Sequence, residues 1–299
     1  MVGPTASGKS QLAEALAGDM DAQIVSVDSM QVYRGMDIGT AKPDTARRRR
    51  FSYHLVDLVD PADELTVAEY QAIGASVLDQ MTADERPAVL AGGSGLHLRA
   101  LVDPLEFPPT DDELRSRLEA VAPRELLEEL LEADPAAGDV VDLANPRRVL
   151  RAVEVYRLTG QTPSSRVRSP KATAVRGYAA SRPFVGLGID AGPDLERRAT
   201  ARLDAMLDDG LIEEITALSP MMGRTARKAV GYQQLLPVIA GDIPLEEGRQ
   251  QTIRATVALA KRQRTFFRRD PRIHWIPWHH DPKERRQAAV SHLEESWTS

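Results

Sequence analysis

The sequence predicts an α/β fold, a parallel-sheet core interrupted by a helical insertion. Three observations carry that expectation. Gly3-Pro4-Thr5-Ala6-Ser7-Gly8-Lys9-Ser10 fits the G-x-x-x-x-G-K-[ST] phosphate-cradling loop and opens a helix of strong formers, Gln11 to Ala17. Short β-rich runs then alternate with helical periodicity. Between residues 106 and 182 strand-like runs vanish, and the composition turns acidic, proline-rich and helical.

The loop sets the first expectation about chemistry. Gly3 and Gly8 let successive backbone amides face one anion, and the following helix adds its free N–H groups. Lys9 supplies a mobile cation and the Ser10 hydroxyl is the expected Mg²⁺ contact. Alone, the loop predicts a P-loop NTPase-like core with a nucleotide (ATP) site. Such a loop normally hangs from a buried strand, yet only Met1 and Val2 precede Gly3, so the first strand is expected to be truncated.

Gln23 to Val27 reads as a buried parallel strand ending at Asp28, which places Asp28-Ser29-Met30-Gln31 at the sheet edge where open α/β folds bind ligands. Val32 to Pro43 has glycines and no periodicity, hence a loop, and Arg47 to Arg50 read as a solvated helix face. Tyr53 to Val59 is a candidate strand. Thr66 and Glu69 are in capping-box register for a helix to Met81. Pro87 to Ala91 is a further strand, leaving through Gly92-Gly93-Ser94-Gly95. The domain expectation is a core of residues 1–105 and 183–299 around an insertion of residues 106–182. That insertion is helical from Asp111 to Thr159, with a Ser/Pro/Arg-rich loop from Gly160 to Arg182. Phe184 to Ile189 resumes strand character. Asp194 caps a helix toward Leu207, a second runs to Leu218, and Thr225–Ile239 and Leu245–Arg269 are two more. Arg272 to Pro277 is a short strand before a polar terminal helix.

Of the 299 residues 42% are hydrophobic and 27% charged, an ordinary globular composition. With no cysteine, disulfide and thiolate chemistry are excluded, which suits a cytoplasmic protein. No run approaches the roughly eighteen apolar residues of a membrane span. The net charge of −6 hides an asymmetry. Residues 103–142 hold thirteen acidic and three basic side chains, whereas residues 221–272 hold eleven basic and four acidic. Either these are two solvated surfaces, or the basic stretch meets a polyanion.

Several segments together are similar to the tRNA dimethylallyltransferases. They are Gly3–Ser10, Asp28-Ser29, Tyr33–Lys42, Gly92–Leu96, Ala229–Tyr232, and Lys261-Arg262-Gln263 followed by Thr265–Arg268. The resemblance implies transfer of the dimethylallyl group of dimethylallyl diphosphate to N6 of adenosine 37 in tRNA. It implies Mg²⁺ as cofactor, a grip on the anticodon stem-loop, and a cytoplasmic monomer with no membrane partner. The loop from Gly3 to Ser10 would bind diphosphate. The catalytic set implied is Asp28 as base on the amine, Thr5, Ser94 and Arg115. tRNA contacts would come from Asp28, Ser29, Met30, Gln31, Ser94, Arg115, Arg147, Arg148, Arg151, Lys261, Arg262, Arg264 and Arg268, with Arg269 beside them. Ser94 stands where the family has threonine and His97 where it has tyrosine. Read without the resemblance, His97 is a surface polar residue, Tyr232, Phe266 and Phe267 are core, and the loop also suits a kinase of small metabolites.

Overall fold

The computed structural model describes residues 1–298, which divide into two compact units: 1–102 with 183–298, and Asp103–Arg182. In the first, helix α1 (Lys9–Met20) starts directly from the glycine loop, with Gly8 as N-cap at φ 85°. Strand β1 (Gln23–Val27) follows, buried but for its first residue. Helix α2 (Thr45–Phe51) is capped by Asp44, whose side chain accepts from Arg47 N–H. Strand β2 is only Tyr53–His54, shorter than the Tyr53–Val59 expected. Leu55 and Asp57 take positive φ, which ends the extended run, and Val59 returns only as an isolated bridge to Tyr33. Helix α3 (Val67–Ala83) carries the capping box of Thr66 and Glu69, a feature that typically contributes about 1 kcal/mol. Strand β3 (Ala88–Gly92) leads into α4 (Gly95–Val102).

The second unit is helical throughout: α5 (Asp112–Glu119), α6 (Pro123–Ala133), α7 (Pro146–Thr159), α8 (Pro163–Val167) and α9 (Pro170–Arg176), with a short 3₁₀ turn at Ala137–Asp139. Leu118, Leu126, Leu130, Val149 and Val153 form its core. Burial of each such side chain contributes roughly 1.5–3 kcal/mol. Helices α8 and α9 occupy the stretch expected to be loop. Each begins with a capping hydroxyl, Thr162 or Ser169, followed by proline at the first helical position, so the Ser/Pro composition is a pair of helix starts.

The first unit resumes with β4 (Gly186–Ile189), α10 (Leu195–Asp208), α11 (Leu211–Leu218), α12 (Tyr232–Ile239), α13 (Leu245–Phe267), β5 (Ile273–Ile276) and α14 (Pro282–Thr298). The helix expected over Thr225–Ile239 is broken. Ala226–Lys228 forms one 3₁₀ turn, and Gly231, at φ 97°, opens α12 afresh.

All strand pairs are parallel: β2-β1-β3 in one sheet and β4-β5 in another. Val2 forms parallel bridges to both Gly92 and Gly188, with Val2 N–H donating to Leu187 O and Ile189 N–H to Val2 O. Met1 and Val2 thus take the central strand position that feeds the glycine loop. The result is a mixed α/β unit with the loop at the carboxyl edge of its parallel strands, beside Asp28 and Gly92–Gly95. Among the described residues no helix is long and apolar enough to cross a membrane.

Candidate active site

The glycine loop is held by its backbone. A Cβ on Gly3 would lie 2.2 Å from Ile189 O, at a φ of 154°. Ala6 also takes a left-handed φ of 59°. Thr5 is fixed from two directions. Its N–H donates to Gln263 Oε1 at 2.8 Å, and its hydroxyl accepts from Arg202 Nη1 at 3.1 Å. Lys9 has no ion-pair partner among the described residues. Burial lowers its pKa to about 8 against the pull of Asp28, with Arg202 adding to the fall. Burial likewise lowers that of Arg202, again opposed by Asp28.

Behind the loop, Arg285 of α14 is buried and donates to Ser7 O at 3.1 Å. A Cβ on Gly8 would come within 2.9 Å of the Arg285 guanidinium and 3.4 Å of that of Arg198. Both guanidinium groups lie against the Trp278 ring, 5.1 and 4.9 Å from its centre. Arg198, Arg202, Arg285 and Gln263 therefore gather at the loop, and none was marked by sequence. The one available signal was Gln263's place in the Lys261-Arg262-Gln263 run.

Asp28 ends β1 and turns the chain: its Oδ1 accepts from Met30 N–H at 2.8 Å and Gln31 N–H at 3.4 Å. Met30 packs against the core. Gln31 bonds Ser26 Oγ and the carbonyls of Thr40 and Ala41, so it braces the following loop. Ser29 is partly buried beside them. Ser94 N–H donates to Val27 O, and its hydroxyl is hydrogen-bonded to His97 Nδ1 at 2.7 Å. His97 is half-buried, edge-on to Tyr70 at 4.6 Å, and not the surface residue expected. Burial lowers its pKa, opposed by Asp28.

The loop from Asp37 to Lys42 is held by two charges. Glu214 accepts from the N–H groups of Asp37, Ile38 and Gly39 at 2.8, 2.7 and 3.0 Å, and from the Tyr232 hydroxyl. The fully buried Lys42 side chain bonds Asp37, Asp57 and Tyr33 O, which makes it a latch. Arg48 pairs with Asp57 and Arg47 with the buried Glu14, so only Arg49 and Arg50 form the expected solvated face.

Two cavities meet here. A polar cleft of about 920 Å³ is lined by the glycine loop, Asp28, Arg198 and Arg202. A pocket of about 110 Å³ is walled largely by apolar groups such as Met30, Leu203, Met206, Leu211 and Val230. Thr5, Asp28, Arg202 and Gln263 line both. A third, small recess is bordered by Lys9, Ser10 and Asp28. The described residues contain no cluster of three or more His, Asp or Glu fit to hold a metal by themselves. A hydroxyl with one nearby carboxylate suits Mg²⁺, which keeps several waters and takes the rest of its oxygens from substrate phosphates.

On α13, Arg264 pairs with Asp190 at 2.6 Å, and Arg268 reaches Asp190 at 3.5 Å while lying over Trp275. Lys261, Arg262 and Arg269 are exposed. Phe267 and Tyr232 are core, but Phe266, expected there too, is 39% exposed. In the helical unit Arg115 and Arg151 share the buried Glu154 at 2.7 and 2.8 Å, and Arg151 also bonds Pro108 O and Pro109 O. Arg148 is within 3.6 Å of Asp142, and Arg147 is exposed.

The IPP transferase family model matches residues 31–270. The chain is 43% identical over 284 residues to a tRNA dimethylallyltransferase of Streptomyces avermitilis, covering 92% of this chain and 88% of that one. Its structure is similar to a tRNA isopentenylpyrophosphate transferase of Bacillus halodurans, with TM-score 0.70, 30% identity, and 99% and 96% of the two chains covered. A eukaryotic dimethylallyltransferase solved acting on tRNA shares the fold at TM-score 0.77 and 22% identity, over 99% of this chain and 78% of that one.

Proposed function

The chain belongs to the tRNA dimethylallyltransferase family and transfers a dimethylallyl group to N6 of adenosine 37 in tRNA, and we propose that the two joined cavities of the first unit divide that work. The observation that carries the assignment is the sharing of Thr5, Asp28, Arg202 and Gln263 between a polar cleft at the phosphate loop and a small apolar pocket. An allylic diphosphate needs that pair of environments, one anionic and one hydrocarbon. The smaller pocket, of about 110 Å³, is walled largely by apolar side chains, the surroundings a short hydrocarbon group requires.

In this reading the core is P-loop NTPase-like and the donor is dimethylallyl diphosphate. The amides of Gly3 to Gly8, with Lys9 and Arg202, hold the diphosphate as the carbon–oxygen bond breaks and negative charge gathers on the leaving group. Ser10 would hold Mg²⁺, which supplies further positive charge to that group when bound. Asp28 accepts a proton from the N6 amine as the new C–N bond forms, its second oxygen being free of the turn that fixes the first. Thr5 and Ser94 orient the amine and the donor. Adenosine 37 leaves its stack to reach them, as chemistry on a base requires. The exposed cations of α13 and of α7 bind RNA backbone, so affinity falls steeply with salt.

The test is mass spectrometry of an unmodified anticodon stem-loop incubated with the protein, Mg²⁺ and dimethylallyl diphosphate. The expected product carries one added C5H8 unit on the target adenosine. Phosphoryl transfer from ATP to a small acceptor, with unmodified RNA, would overturn the assignment.

A further inference from the structure

Helix α13 runs alongside the Gly93-Ser94-Gly95 turn, and two of its side chains fill the glycine gaps. Gln263 lies where a Cβ on Gly93 would meet its amide at 2.4 Å, and the Phe266 ring lies 2.1 Å from the place of a Cβ on Gly95. Phe266 thus stands at the rim of the site, one helical turn beyond the glutamine that touches Thr5 and flanking Ser94. Its ring is steadied edge-on by the buried Phe267, with centres 5.7 Å apart. Phe266 is 39% exposed, and Leu96, next to Gly95 in the chain, is 46% exposed.

An exposed ring on a rigid helix invites a partner, and its neighbours say which. Arg262 lies one turn before Phe266, Lys261 adjoins it, and Arg269 follows just past the helix end. All three are exposed and none has an ion-pair partner among the described residues. An exposed ring with a free cation one helical turn away, and further free cations at the same end of the helix, matches the chemistry of an unpaired nucleotide, whose base stacks while its phosphates meet the cations. An apolar protein surface would not answer those charges.

We propose that Phe266, with the exposed Leu96 that follows Gly95, is a stacking platform for the unpaired base adjoining the adenosine that is modified. The platform rests on the tRNA reading above. Removal of the target adenosine from the loop's stack leaves the next base without its neighbour, and the Phe266 ring replaces that lost surface. The role is distinct from the charge contacts, because stacking is indifferent to salt.

The test uses an anticodon stem-loop carrying 2-aminopurine immediately 5′ or 3′ of the target adenosine, with wild type, F266L, F266W, L96S and R262A. Wild type should quench the fluorophore at one of the two positions. F266L should lose the quench and raise the KM for RNA about tenfold, with kcat at saturating RNA and the KM for dimethylallyl diphosphate within about twofold of wild type. F266W should restore both readouts. The salt slope of RNA binding should be unchanged in F266L and smaller by about one in R262A. L96S, a change at an exposed position, should raise the same KM severalfold and is the arm to rely on if F266L does not fold. Retained quenching with wild-type KM in F266L or L96S overturns the platform, as does a rise in KM for the diphosphate donor instead of RNA. Absence of prenylation by wild type itself would instead overturn the functional assignment.

Discussion

Thr5 and Gln263 are 258 positions apart in the chain and 2.8 Å apart in space, the backbone N–H of the glycine loop donating to the helix side chain. Gln263 also fills the gap over Gly93, so a single amide couples the loop, the Gly92–Gly95 turn and α13. Q263A should therefore lower the transfer rate roughly tenfold to a hundredfold by letting the loop shift, with little change in melting temperature. Single-turnover prenylation beside a thermal melt checks this; a stability loss without a rate loss would show Gln263 to be packing alone.

Asp28 is separable from its turn. In D28N the amide oxygen can still accept from Met30 N–H, so the fold should hold, but the group can no longer take a proton. Transfer should fall by about 10²–10⁴, with the KM for dimethylallyl diphosphate within a few-fold of wild type. Wild-type turnover in D28N would remove Asp28 from the chemistry.

Lys9 titrates near pH 8 because burial disfavours its ammonium form. With diphosphate held by that charged form, as proposed, affinity for inorganic diphosphate should be flat below pH 8 and weaken up to about tenfold per unit above it. Calorimetry between pH 7 and 9.5 measures this, with K9M giving a flat, weak profile. The same shift makes stability rise with pH between about 8 and 10.5, where the folded chain has released a proton that the unfolded chain still holds.

Glu154 is buried in the helical unit. Burial pushes its pKa up, but hydrogen bonds from Arg115 and Arg151 outweigh that and leave it below the usual glutamate value. Its contribution is present above the unfolded-chain pKa and is lost as pH falls through the folded one. E154Q should destabilise the protein by about 3 kcal/mol in urea unfolding, since it leaves two guanidinium groups without their shared carboxylate. An unchanged urea midpoint would show that water serves those arginines as well.

Glu214 closes the Asp37–Lys42 loop by taking three successive N–H groups. E214Q should cost about 2 kcal/mol and open that loop to protease, read by unfolding and by limited digestion. Equal cleavage of wild type and variant in this segment would refute the closure.

The local features legible in sequence were those set by neighbours along the chain. Gly3 to Ser10 announces a glycine loop that opens a helix because its geometry is fixed within eight residues, and Thr66 with Glu69 announces a helix start for the same reason. The runs Gln23–Val27 and Pro87–Ala91 were readable because a strand flanked on both sides in a parallel sheet is rich in apolar residues. Local reading failed where one composition serves two ends. Ser/Pro content hid α8 and α9, and an unbroken helical pattern hid the restart at Gly231.

The sequence by itself determined the class of chemistry expected, since a glycine loop with Lys9 and Ser10, followed by Asp28 and Ser94, limits what the proposed site can do. Only the tertiary structure decided which cations and amides complete it. Arg198, Arg202, Gln263 and Arg285 reach the loop from helices that follow it by nearly two hundred residues or more. The three arginines read the same as any solvated arginine, and Gln263 as any helix amide, until packing places them. The same packing turned Lys42 inward as a latch and left Phe266 facing out. Burial and direction arise from contacts between distant segments, and no local pattern encodes them.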